Sequence, residues 1–211
     1  MKTELQTRYP ELKSCMAQIE AAEQILIKSF RTGGKLLVCG NGGSCADSEH
    51  IVGELMKGFL LKRPVGDDVR NKLIATCGEV GAEIADKLQG ALPAISLPSQ
   101  TAVLSAFAND VAADLMYAQL VYGYAREGDV FLGISTSGNS KNVVNAATVA
   151  KAMGLSVVAL AGEMPCALDK LADCVIHVPR RETYQVQELH LPVYHYLCAR
   201  CEEEFFAKST T

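Results

Sequence analysis

The chain has no tryptophan, and aromatic residues make up only 6% of its 211 positions, so its core must be built mostly from aliphatic side chains. No apolar run approaches the ~20 residues that a bilayer-spanning helix needs, and the opening MKTELQTRYP is polar, with no apolar signal core. A membrane partner is therefore not expected. Long Lys/Arg runs are missing and the formal net charge is −4, which argues against nucleic acid as the main partner. The densest basic patch is Lys57, Lys62 and Arg63. The eight cysteines lack regular spacing and several sit in apolar stretches, a pattern of reduced core thiols in a cytoplasmic protein. Cys198 and Cys201 form an isolated CxxC inside an expected helix and read as packing.

Three familiar signatures are also absent. A Walker loop requires Gly-Lys-Ser/Thr where this chain has Gly43-Ser44-Cys45, and the dinucleotide fingerprint requires glycine where Cys45 stands. Around Ser135 the chain reads Gly133-Ile134-Ser135-Thr136-Ser137, which is not the G-x-S-x-G of a nucleophile elbow.

What is present begins at Lys35 with KLLVCGNGGSCADSEHIVGE. A short apolar strand, Leu36 to Cys39, turns sharply at Gly40-Asn41-Gly42-Gly43-Ser44 and continues as a helix from about Cys45 to Gly58. The glycines permit positive φ and close approach to a ligand. The helix start offers free N–H groups and a positive dipole end to an anion, with Ser44 expected as the cap. His50 and Glu54 lie four apart on one face of that helix. A second loop of this kind, Ser135-Thr136-Ser137-Gly138-Asn139-Ser140, follows the apolar run Val130–Ile134. Its hydroxyls and the helix start behind it can hold a phosphate without a lysine.

At 211 residues, 49% of them hydrophobic, the chain is expected to be one α/β domain spanning 1–211. Residues 11–32 carry apolar residues at helical spacing, started at Pro10 and stopped by Gly33-Gly34. Residues 59–92, rich in glycine, read as a surface insertion (a lid or a decoration) with short helices at 69–75 and 82–88. Strands are expected at 94–97, 130–134, 156–160 and 174–178. Between them lie a helix from Gln100 to Ala108 capped by Ser99 and broken at Asn109-Asp110, then helices to about Arg126, to Met153, and over 166–172. A last helix, 184–206, is interrupted at Pro192. Alternating short apolar strands and helices predict a doubly wound parallel sheet, whose ligands bind beyond the carboxyl ends of its strands. Both loops should then share one crevice. In the last helix, Gln187 and His195 are eight residues apart. Spacing alone does not choose between His190 and His195, and His190 and His177 are read as structural.

GNGGSCADSEHIVGEL, AND, GISTSGNSKNVVNAATVAKAMGLSVVALAGE and QVQELHLPVYH together resemble the phosphoheptose isomerases of the sugar isomerase (SIS) superfamily, over most of residues 1–58 and 93–206. The resemblance implies a five-stranded parallel sheet sandwiched by helices, and conversion of sedoheptulose 7-phosphate to D-glycero-D-manno-heptose 7-phosphate. It implies a homotetramer with sites near subunit interfaces. The family's catalytic glutamate and histidine match Glu54 and His195. Its zinc-binding members use the residues matching His50, Glu54, Gln187 and His195, and no organic cofactor is implied. Phosphosugar contacts match Asn41, Gly42, Gly43, Glu54, Asn109, Asp110, Ser135, Thr136, Ser137, Ser140 and Gln187, with Ser44 added from the same first loop. The sequence departs from the family pattern at the 59–92 insertion and at Pro192. Two alternatives stand beside this reading: an isomerase of another phosphosugar, and a non-catalytic phosphosugar-binding or regulatory module, such as relatives that associate with a replication initiator.

Overall fold

Short apolar runs with no polar alternation are the mark of strands covered on both faces. They form the sheet of the computed structural model, which describes residues 1–207; residues 208–211, the end of the single domain expected from sequence, lie outside the described residues. The strands are β1 (Leu36–Gly40), β2 (Ala94–Ser96), β3 (Val130–Ile134), β4 (Ser156–Ala161) and β5 (Cys174–His177). All pairings are parallel, in the order β2-β1-β3-β4-β5. Each β1 and β3 residue is buried.

Helices cover both faces. Those described are α1 (Lys2–Arg8), α2 (Met16–Arg31), α3 (Gly43–Met56), α4 (Asp67–Lys87), α5 (Thr101–Phe107), α6 (Met116–Tyr124), α7 (Lys141–Ala152) and α8 (Thr183–Phe206). The pleat sorts β1 between two cores. Leu36 and Val38 join residues of α2, α3 and α8, whereas Leu37 and Cys39 join residues of α6 and α7. Because β2 and β3 flank β1, the chain reverses direction across the sheet between β1 and β3. That switch point opens a crevice at their carboxyl ends. No helix among the described residues is long and apolar enough to cross a membrane, and all eight cysteines are free thiols.

Several expectations need correction. The polar N-terminus, where no element is expected, forms α1 with Leu5 buried. The first part of the expected 11–32 helix is a 3₁₀ turn, Pro10–Cys15, with the α-helix starting only at Met16. Ser44 does not cap α3. Gly42 does, with φ 57° and ψ −121°, and Ser44 is buried inside the first turn. Ser99 does not cap α5 either, and its hydroxyl donates to Glu49 instead. The expected break at Asn109-Asp110 is present, α5 ending at Phe107, but it takes the form of a π-type turn, Ala108–Ala112, and a 3₁₀ turn, Ala113–Leu115. The segment expected to be a helix over 166–172 is a single 3₁₀ turn, Ala167–Lys170. Pro192 does not interrupt α8, which runs through it for 24 residues, since tertiary packing holds a helix that has lost one donor. In the 59–92 stretch the two expected helices form as the arms of α4, hinged at Gly78 (φ 57°), with Gly81 packed so closely on Leu73 that a Cβ would meet its carbonyl oxygen at 2.0 Å. Finally, Arg63 is no part of an exposed basic patch, because it is 1% exposed.

Candidate active site

The first loop leaves β1 at Gly40 and enters α3 through Gly42, whose dihedrals are open to glycine and strained for other residues. Gly43 also lacks room for a side chain. A Cβ there would meet Gln187 Nε2 of α8 at 2.6 Å, so α8 and the loop are in direct contact. The second loop leaves β3 at Ser135. Ser135 and Ser140 hydroxyls lie 2.9 Å apart, the Asn139 N–H donates to the Ser137 hydroxyl, and Gly138 turns with φ 64°. Asn41 and Asn142 exchange two amide hydrogen bonds of 2.9 Å, tying the loops together as the shared crevice required.

The loops are unequal as anion seats. In the first, the Ser44, Cys45 and Ala46 N–H groups already donate to Asn41 and Gly42 carbonyls. In the second, the ladder of α7 starts with Val144 N–H to Ser140 O, so the Lys141 and Asn142 N–H groups precede it as the unsatisfied first-turn donors of a helix. Ser137 is exposed beside them, Thr136 half-buried and Ser135 buried. Asn109 and Asp110 are exposed and bond to each other at 2.8 Å, with no hydrogen bond to either loop among the described residues.

Farther along α3, the helical face carrying His50 and Glu54 meets α8. Glu54 Oε1 lies 3.1 Å from His50 Nε2, and His195 Nε2 lies 3.5 Å from the same nitrogen. This geometry separates the two histidines that spacing left open. His195 is at the site, while His190 is fully buried behind β4, its Nε2 3.4 Å from the Ala161 carbonyl. Burial, and then the neighbouring His50, hold His195 below its ordinary value. It is therefore a neutral imidazole near pH 7, able to give or take a proton.

Two partners of this group had no place in the sequence reading. The Tyr194 hydroxyl donates to Asp47 Oδ1 at 3.1 Å, which leaves its oxygen to accept from His50 Nδ1 at 3.0 Å. Burial and the Asp47 charge push the Tyr194 phenol up, so it stays neutral. The relay puts a proton on His50 Nδ1, and His50 Nε2 faces a carboxylate and a second imidazole. Two imidazoles and a carboxylate are ligand types that Zn²⁺ takes, with the far nitrogen of one held by an outer hydrogen bond, but their three ligand atoms do not all lie within 4.8 Å of one another. Gln187, the fourth residue expected there, lies against Gly43 of the first loop. Asp47 was findable, since it falls at i, i+3 and i+7 with His50 and Glu54 on one helical face.

The other missed pair gave no local signal. Arg63 and Glu202 are 139 residues apart and both essentially buried, with Nε donating to Oε1 at 2.7 Å. Arg63 also donates to the Leu55 and Glu54 carbonyls at the end of α3, while Glu202 accepts the Phe59, Leu60 and Leu61 N–H groups. The ion pair therefore bolts the end of the helix bearing Glu54 to the helix bearing His195. Beside His195 a cleft of about 340 Å³ opens between α1 and α8, lined in part by Arg8, Tyr9, Phe59 and Tyr196.

Comparison with known proteins gives a consistent picture. The SIS domain family model matches residues 4–72 and 69–162. The phosphoheptose isomerase of Crocosphaera subtropica is 36% identical over 197 residues, covering 93% of this chain and 87% of that protein. That of a Geobacter species is 36% identical over 190 residues, covering 90% and 85%. Among solved structures, the phosphoheptose isomerase from Neisseria gonorrhoeae superposes with a TM-score of 0.74 at 27% identity, covering 95% of this chain and 94% of that one. The enzyme from Francisella tularensis gives 0.76 at 25%, covering 96% and 94%.

Proposed function

The chain belongs to the phosphoheptose isomerase family of SIS-domain proteins, and we propose that it is an aldose–ketose isomerase converting sedoheptulose 7-phosphate to D-glycero-D-manno-heptose 7-phosphate. The observation that carries the reading is the meeting of Glu54 and His195, from helices far apart in sequence, around His50 at one end of a crevice whose other end is the hydroxyl-rich second loop. Ser137, Ser140, Thr136, Ser135 and the first turn of α7 take the phosphate, with Asn41, Gly42, Gly43, Ser44 and Gln187 closing the opposite wall. Asn109 and Asp110 are assigned to the sugar on the resemblance alone.

Isomerisation needs a proton moved between adjacent carbons and another between their oxygens. Glu54 serves as the base at the carbon, and neutral His195 exchanges the proton at the carbonyl oxygen. His50, Glu54, Gln187 and His195 would hold a zinc ion, which when bound supplies Lewis-acid polarisation of the carbonyl. Assembly as a homotetramer with sites near subunit interfaces is part of the reading, supported by the surface-open cleft beside His195. So is a cytoplasmic location, in keeping with eight free thiols.

The test is a panel of ketose phosphates of about five to seven carbons, followed by NMR for aldose formation, with the metal content of each sample measured. Wild-type protein is expected to turn over the seven-carbon ketose, and Glu54→Gln to lose about 10²–10⁴ in rate while still binding the phosphosugar. Equal rates at equal metal content would remove Glu54 as the base. Binding without turnover of any member would give the reading to the non-catalytic module.

A further inference from the structure

A second cluster of donors lies at the same edge of the sheet, outside the site just described. His177 ends β5, and Cys166 and Asp169 belong to the turn that follows β4. Among the described residues, Cys166, Asp169 and His177 are the one set of three His, Cys, Asp or Glu side chains whose ligand atoms all lie within 4.8 Å of one another. His177 Nε2 is 2.8 Å from Asp169 Oδ1, and Cys166 Sγ is 3.5 Å from the same oxygen. A tetrahedral zinc ion with its usual bond lengths separates S, N and O ligands by roughly 3.3–3.6 Å. The Cys166–Asp169 distance of 3.5 Å already matches that spacing, and the His177–Asp169 distance of 2.8 Å is shorter than it.

The surroundings also fit. His177 Nδ1 faces the Gly162 carbonyl at 2.6 Å, a contact that requires a proton on Nδ1. This is the outer hydrogen bond that fixes a metal-ligating imidazole with its Nε2 lone pair forward. Nε2 then faces the Asp169 carboxylate, a contact that either a proton or a metal cation between Nε2 and Oδ1 satisfies. The free Asp169 oxygen is held by the Cys166 N–H at 2.7 Å. Burial raises the Cys166 thiol, and nothing here makes it a resting thiolate nucleophile. All three side chains reach solvent in part, so an ion has a way in.

We propose that Cys166, Asp169 and His177 form a metal site for a borderline divalent ion such as Zn²⁺ or Co²⁺, distinct from the His50, Glu54, Gln187 and His195 set. Three protein ligands leave one position for water. Its place gives it a task. The 162–168 segment is stapled to the second loop by Gly162 N–H to Thr136 O, Leu168 N–H to Gly138 O and Ala167 N–H to Asn139 Oδ1. Cys166 fills the space beside Gly138, where a Cβ would meet its sulfur at 2.2 Å. A metal here would lock the segment on which the phosphate-binding loop rests. The site follows from its own donors and does not depend on the isomerase reading.

The experiment uses Co²⁺ alone as the probe, titrated into the reduced full-length protein. A thiolate ligand gives cobalt a sulfur-to-metal charge-transfer band in the near ultraviolet, and the other donor set contains no cysteine, so the band reports on this site. Wild-type protein is expected to develop the band, saturating at one equivalent per chain. His195→Gln should keep it, Cys166→Ser should abolish it, and His177→Gln should weaken the cobalt affinity tenfold or more. No band in wild-type protein would overturn the proposal. So would a band that survives Cys166→Ser at full strength, because another thiol would then be the ligand.

Discussion

The chain leaves Glu54 in two successive and opposite ways. Residues 58–63 fold back beneath α8 and are fastened there by a buried ion pair, whereas the α4 hairpin that follows stands in solvent with only Gly81 and Ala85 buried. Val80 is 61% exposed, and Ile84 and Leu88 are exposed as well. The two stretches adjoin in sequence and were read as one insertion, but their energetics are unlike. In the first, the buried charges are fully paired: Glu202 alone receives three backbone N–H groups and a guanidinium. In the second, Arg70 pairs with Asp86 between the arms at the surface, where such pairs contribute about 0–1 kcal/mol. The placement of Glu54 against His195 therefore depends on the bolt, not on the decoration.

The sharpest way to break that contrast is to cut the bolt. Glu202→Gln should cost about 3–5 kcal/mol, because Arg63 then remains buried without its counter-charge. Phe59, Leu60 and Leu61 would also share a poorer acceptor. Urea unfolding gives the stability, and turnover at a denaturant-free temperature below the transition should fall too, since the end of α3 is no longer clamped. Arg63→Met tests the same bolt from the other side. A loss under about 1 kcal/mol in both, the range of an exposed pair, would show that the region is no more firmly held than the hairpin.

A smaller effect belongs to the buried imidazole of α8. Burial lowers His190 from 6.5 to about 4, opposed by its bond to the Ala161 carbonyl. The unfolded chain therefore takes up the proton first as pH falls. The stability this group contributes is fully present above 6.5 and is lost progressively towards pH 4, by about 3 kcal/mol in all. His190→Gln should flatten the stability profile in that window, as read by unfolding at a series of pH values. An unchanged slope would mean that other groups carry the acid sensitivity of this helix.

Smallest of all should be the hairpin. Val80→Lys is expected to change stability by no more than about 0.5 kcal/mol, the usual range for an exposed site, and to leave turnover as it was. A larger loss, with a fall in mass by light scattering, would show that another copy of the chain covers this face.

Much of the fold was legible because the physics of its strands is local. Leu36–Cys39 and Val130–Ile134 announce buried parallel strands by composition alone, and each discharges into a hydroxyl- or glycine-rich loop. The 3.6-residue period placed His50 and Glu54 on one face, 3.1 Å apart in the fold. Strand and loop alternation was enough to put both loops in one crevice, and the Asn41–Asn142 pair bears this out. Local rules failed where a neighbour outbid them. Ser44 and Ser99 looked like caps, but α3 starts through a glycine conformation and the Ser99 hydroxyl is drawn off to the Glu49 carboxylate. Pro192 looked like a break, but packing carried α8 through it.

Sequence by itself determined the order of the elements, the parallel sheet, the two loops and the pairing of His50 with Glu54, because these rest on periods and turns a few residues long. Tertiary structure alone decided which histidine of α8 faces the site, since His190 and His195 differ only in which side of the helix meets β4 and which meets α3. It alone brought Tyr194 and Asp47 into the relay that sets the His50 tautomer. It alone gathered Cys166, Asp169 and His177, and joined Arg63 to Glu202 across 139 residues. Those contacts are set by how the packed helices and the loops at the sheet edge settle against one another, which no local period specifies.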